Sequence, residues 1–166
     1  MARRRVLLLA AALPLLAGGC GFALRQTPSF SFRSIYLALP AGSALGIELH
    51  RQLQGAGGIT VFTGAAQRAQ ADVVLESSGE QRERAVVSLT ATGEVREFQL
   101  RLRFAFRVLT PAGRELLPSA EILRQIDQSY SESAALSKEQ EAQMLYRDMQ
   151  SDIVQQVMRR LATVKT

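Results

Sequence analysis

The sequence predicts an α+β domain: a mixed, largely antiparallel β-sheet covered on one face by two α-helices. Three observations carry this. Val95 to Leu109 alternates apolar and polar residues, as one half-buried strand must. Leu45, Leu49 and Leu53 mark a helix between two short β-rich runs, the pattern of a right-handed crossover. Finally, Ala142, Leu145, Met149, Ile153, Val157, Leu161 and Val164 recur at spacings of three and four, giving a helix with one apolar face.

Composition sets the frame for these elements. The 166 residues are 47% hydrophobic with only 12 Gly and 5 Pro, which fits one globular domain and excludes collagen-like or low-complexity chains. Aromatic residues are 6% and Trp is absent, which speaks against a base-stacking platform. The net charge of +5 includes Arg3, Arg4 and Arg5. Without those three the excess is only two, and the remaining basic residues are dispersed, so no nucleic-acid partner is expected.

The chain opens on a charged segment, Met1 to Arg5, followed by the apolar run Val6 to Ala17 and then Gly18-Gly19-Cys20. About a dozen apolar residues cannot span a bilayer, which takes around 20. Residues 1–19 are therefore expected to be a removed export signal. Cys20 is the only cysteine, so it forms no internal disulfide. Leu16-Ala17-Gly18-Gly19-Cys20 resembles a bacterial lipobox, with Ala17 where such boxes usually carry Leu. That resemblance implies a diacylglyceryl group on the Cys20 sulfur and an N-acyl chain on its amine, together enough for stable anchoring. Gly21 stands where inner-membrane lipoproteins typically have Asp, so the implied destination is the outer membrane, with the domain facing the periplasm. No other cofactor is expected.

The remaining elements follow in order. Residues 20–33 read as the lipidated N-terminus and a tether, and 34–166 as a single domain. Ser34 to Leu39 is a first strand closed by Pro40 and Gly42. Ser43 is an N-cap for a helix to about Gln54, and Ile59 to Phe62 is a second strand, parallel to the first. Asp72 to Glu76 and Ala85 to Thr90 are two pieces of one long strand, with a bulge or exposed edge in the polar stretch between them. In Val95 to Leu109 one face carries Phe98, Leu100, Leu102, Phe104, Phe106 and Val108, and the other Gln99, Arg101, Arg103 and Arg107. Arg114 to Tyr130 returns as a strand in which Pro118 marks an edge or a bulge. Ser137 and Gln140 form a capping-box signature for the last helix, with Glu139 and Glu141 at its positive end.

Enzyme signatures do not emerge. There is no nucleophile elbow, P-loop or dinucleotide fingerprint, and the glycines at 55, 57 and 58 follow a helix rather than precede one. The single histidine, His50, is expected to face solvent, and neither a zinc site nor a Cys-His dyad is supported. What remains is the charge pattern. Arg101, Arg103 and Arg107, with Arg82, Arg84, Arg96 and Arg124 nearby, either pair with Glu80, Glu83, Glu94 and Glu97 on a solvated face or meet an anionic amphiphile.

Several segments carry a family resemblance: CGFALR after the signal, ELHRQL in the first helix, TGEVREFQL at the strand turn, and ALSKEQEAQMLYRDMQSDIVQQVMRRL at the end. Together they resemble the LptE (RlpB) family of lipopolysaccharide-assembly outer-membrane lipoproteins. The resemblance implies a non-enzymatic plug inside the lumen of an LptD-type β-barrel, which helps place lipopolysaccharide in the outer leaflet and binds it through basic residues. Lys138 matches the basic position at the start of the last helix. At the strand turn Ala91 stands where a basic residue is expected, leaving Arg84 and Arg96 as the nearby candidates. The alternative expectation is an auxiliary lipoprotein of a periplasmic ABC-type lipid-transport system. A periplasmic enzyme of unfamiliar type is a third.

Overall fold

A computed structural model describes residues 29–166, so the expected signal, Cys20 and most of the tether lie outside the described residues. The element order is β1 (Ser34–Ala38), α1 (Ala44–Gly55), β2 (Thr60–Phe62), β3 (Val73–Leu89), β4 (Val95–Leu109), β5 (Glu115–Ser129) and α2 (Ala135–Leu161). The five strands form one sheet in the order β2-β1-β3-β4-β5. β1 is parallel to both β2 and β3, and the other pairings are antiparallel. This is the mixed, helix-covered α+β sheet that the patterns predict.

The helices share one face of the sheet. Leu45, Leu49 and Leu53 of α1 and Ile153, Val157 and Leu161 of α2 are fully buried against Ile35, Leu75, Leu100, Leu102 and Phe104. Phe104 and Phe106 stack in the middle of this layer with centroids 5.7 Å apart. The opposite face has only a small apolar patch, Tyr36, Ala71 and Val74. Beside it runs a 3-10 segment, Ala65–Gln70, which has no apolar period and which the sequence patterns do not reveal.

The tether is shorter than its polar composition suggests. Phe32 is 3% exposed in the main core, and Ser31 Oγ donates to the Val164 carbonyl at 2.7 Å, joining the two ends of the described chain. Asp72 fixes the start of β1 by accepting the amides of Arg33 (2.8 Å) and Ser34 (2.9 Å).

The predicted bulge lies between Ser77 and Glu80 in an otherwise continuous β3. Gly79 occupies it with φ +96°, and a Cβ there would meet Pro40 Cγ at 3.2 Å, so both conformation and space call for glycine. The bulge turns Glu80 to the helix side, opposite Phe104. Glu80 is thus no partner for the open-face arginines. Its carboxylate instead accepts Ser43 Oγ (2.6 Å) and the Ala44 amide (3.0 Å), capping α1 from a strand. Ser43 Oγ in turn accepts the Gly46 amide at 2.9 Å, the cap expected from sequence.

Burial alone would raise the Glu80 pKa, but the Ser43 hydroxyl and the Leu45 and Ala44 amides outweigh it and hold it below the ordinary 4.5. A carboxyl depressed on folding contributes stability above its unfolded pKa and loses it as pH falls through the folded value. Glu80→Ala is therefore expected to cost about 1 kcal/mol at pH 7, the lower half of the capping range because the site is partly exposed. Urea denaturation should show the difference between variant and parent shrinking as the pH falls below the ordinary carboxylate range.

The last helix begins earlier than its capping-box signature suggests. A 3-10 turn, Glu132–Ala134, runs straight into α2, whose N-cap is Ala134. Ser137 lies inside the first turn, and its Oγ donates to the Ala134 carbonyl at 2.9 Å rather than accepting an amide. At the other end α2 stops at Leu161, and Val164 reaches the core from the turn beyond it. Pro118 sits on the edge strand β5 within a register shift, where the β4 pairing passes from Ala120 to Leu117.

Candidate functional site

The topology gathers the three basic candidates at one end of the sheet. β3 and α2 both run the length of the domain, and the described residues begin at the end where Arg33 and Ser34 meet Asp72. Arg84 lies along β3 from that point by about 40 Å, at roughly 3.3 Å per residue. There β5 passes into α2 through Tyr130.

Arg84 lies with its guanidinium 3.8 Å from the Phe98 ring centroid and 5.7 Å from that of Tyr130. The two rings meet edge to face at 5.0 Å. Arg84 also pairs with Glu139 of α2 at 3.0 Å. Lys138 Nζ donates to Glu141 at 2.8 Å and to Ser129 Oγ at 3.1 Å. The bond from Lys138 holds the Glu141 carboxyl below its ordinary pKa. Arg96 accepts the Tyr130 amide on its carbonyl at 2.8 Å, while its exposed side chain has no ion-pair partner among the described residues.

Gln128 forms the floor of this corner. It is 2% exposed, donates Nε2 to the Lys138 carbonyl at 2.7 Å, and leaves Oε1 without a partner among the described residues. Exposed apolar residues lie on the same two elements as Arg84 and Lys138. Val86, the cross-strand neighbour of Phe98, is 51% exposed, and Leu136 in the first turn of α2 is 77% exposed. Cations beside exposed apolar groups suit an anionic amphiphile.

Tyr130 and Phe98 were legible as strand residues but not as the shelf that holds Arg84. The alternation of β4 places Phe98 on the apolar face, yet it lies at the strand end where helix cover thins, so its ring stays available to the guanidinium. Further along α2, Tyr146 donates its hydroxyl to the Glu83 carbonyl at 2.7 Å, and burial raises its pKa above 10.0.

The open face is a lattice of exposed ion pairs. Arg101 meets Glu83 (3.4 Å), Arg103 meets Glu121 (3.2 Å), and Arg107 shares Glu76 with Arg68 (2.6 and 2.7 Å). Of the four glutamates expected as partners only Glu83 serves, because strand register rather than sequence proximity decides the pairing. Arg124 leaves this face altogether and pairs with Asp152 of α2. His50 is half-buried rather than solvent-facing, in the wall of a cavity of about 360 Å³ shared with Leu37, Pro40, Ile47 and Thr63. Among the described residues no group of His, Cys, Asp or Glu is placed to hold a metal ion.

Comparison with known proteins follows the same direction. A family model described as "LptE: Lipopolysaccharide-assembly" matches residues 32–161. The solution structure of an uncharacterized lipoprotein B from Nitrosomonas europaea is similar at 32% identity and a TM-score of 0.72, covering 86% of this chain and 90% of that one. A crystal structure of the rare lipoprotein B from Shewanella oneidensis is similar in fold, with 23% identity, a TM-score of 0.65 and coverage of 78% and 94%. So is a minor lipoprotein from Acinetobacter baumannii, with 18% identity, a TM-score of 0.62 and coverage of 81% and 93%. No curated protein is significantly similar in sequence.

Proposed function

The chain belongs to the LptE lipopolysaccharide-assembly family, and from that premise we propose that it is an outer-membrane lipoprotein that plugs an LptD-type β-barrel and binds lipopolysaccharide during its insertion. It is held to the membrane by the acyl groups on Cys20 and performs no catalysis. Among the described residues no helix is long and apolar enough to cross a membrane, so in this reading the lipid is the anchor.

The observation that supports lipopolysaccharide binding most is the placement of three basic residues at one end of the sheet: Arg84 lies over the Phe98 and Tyr130 rings, Lys138 bonds Ser129 next to Tyr130, and the Arg96 backbone pairs with that of Tyr130. Val86 and Leu136 are exposed on the same elements as Arg84 and Lys138. Guanidinium and ammonium groups recognise the phosphates of a glycolipid, and the apolar pair receives the first methylenes of its acyl chains. Arg96 is available at once, whereas Arg84 and Lys138 exchange Glu139 and Glu141 for phosphate oxygens. Those carboxylates offset two of the three cations in the unliganded corner and, among the described residues, leave Arg96 uncompensated.

Lys138→Glu is expected to weaken binding to immobilised lipopolysaccharide about tenfold, equivalent to ~1.4 kcal/mol. Its fold stability should fall by no more than about 1 kcal/mol, since a partly exposed ion pair contributes little. Undiminished binding by Lys138→Glu and by Arg96→Glu would remove this corner from the ligand site.

A further inference from the structure

The sheet has two long free edges, and they are built differently. β5 is the outer strand, with no partner on its far side among the described residues. It carries Pro118, a register shift beside it, and the charges of Glu121, Arg124 and Asp127. Each discourages another strand from pairing there.

The other free edge arises inside the sheet. β1 pairs with β3 only from Val73 to Glu76, so past the Gly79 bulge β3 has β4 on one side and, among the described residues, no strand on the other. The first part of this edge is guarded. Arg82, Glu83 and Arg84 are charged, and Tyr146 occupies the Glu83 carbonyl. That bond also shows that Glu83 directs its backbone groups off the sheet. Two-residue alternation sends those of Ala85 the same way.

From Ala85 onward the guarding stops. Ala85-Val86-Val87-Ser88-Leu89 contains neither a charge nor a proline, and Val86, Val87 and Leu89 are 51%, 47% and 57% exposed. The β4 register passes over Val87 altogether. Outward backbone donors and acceptors are satisfied in a ladder by another extended backbone, which neither a lipid nor a sugar supplies. The run is short and bent by two register shifts, so it is too small to hold a stable dimer unaided, which buries about 800 Å² per partner. It suits a segment inserted as one part of a larger interface.

We propose that Ala85–Leu89 receives an extended, uncharged apolar segment of a partner polypeptide as an added strand. The proposal rests on the barrel reading above, and the segment then belongs to the barrel protein. The test is amide hydrogen exchange on the lipoprotein purified with its barrel from native membranes, compared with the lipoprotein separated from it. Exchange over Ala85–Leu89 should slow at least tenfold in the complex, while Gln125–Asp127 on the β5 edge is unchanged. Val87→Lys, whose folding is checked by circular dichroism, should restore fast exchange over Ala85–Leu89. If the barrel co-purifies and Ala85–Leu89 exchanges as in the free chain, the proposal is wrong and the barrel reading stands. Protection that persists in the separated lipoprotein at the mass of two chains would assign the edge to a second copy and overturn it. Absence of any barrel would overturn both.

Discussion

Phe104→Ala is expected to lose about 3–5 kcal/mol of folding stability, the range for emptying a fully buried aromatic site. Phe104 has no exposed surface and lies on β4, between Glu80 of β3 and Ile122 of β5. Both main helices contribute to the core that covers it, and its ring stacks on Phe106. The strands flanking it are locked by their ladders, so the cavity cannot close by a shift of β4. Domains of this size have only about 5–15 kcal/mol in total, so the variant should sit near the threshold of folding. Phe98→Ala is the control. That ring is only half-buried, so urea denaturation should show a clearly smaller loss.

Cys20→Ser is expected to move nearly all of the protein that is not held by a barrel from the membrane to the soluble periplasmic fraction. Each buried methylene of an acyl chain adds about 0.8 kcal/mol to anchoring, and one chain alone holds only reversibly. On the proposed reading, several chains on Cys20 make the attachment durable, and removing the sulfur removes its diacylglyceryl group. Among the described residues the core runs from Phe32 to Val164, apart from Cys20 in sequence, and melting is expected to be unchanged. The fractionation is best done in cells that make the lipoprotein in excess of any barrel. Recovery of the excess Cys20→Ser protein in the outer membrane would refute the anchor.

How much of this was legible in the sequence depended on whether burial repeats locally. The β4 alternation and the leucines of α1 announce themselves because each residue's environment is set by its position on one element. Ala65–Gln70 has no such period, since none of its residues is buried. The start of α2 was missed because Ser137 suits a cap chemically, while the preceding 3-10 turn already supplies the first helical bonds. Glu80 reads as a surface charge, and only the Gly79 bulge turns it onto a helix end 36 residues earlier in the chain. The candidate site was legible in part. Lys138, Arg84 and Arg96 came through the family resemblance, but their placement at one end of the sheet is a product of strand register, which a single sequence does not state. The pairing of Arg84 with Glu139 and of Lys138 with Glu141 belongs to the same tertiary level.

The central claim is that this lipoprotein is one half of a two-protein machine whose other half is a β-barrel. The most direct test is to purify the full-length, lipid-bearing protein through a C-terminal tag from native membranes in mild detergent and to measure what elutes with it, and in what ratio. A single large outer-membrane β-barrel protein at one copy per lipoprotein is expected. Inner-membrane transporter subunits in its place, or a lone monomer, would contradict it.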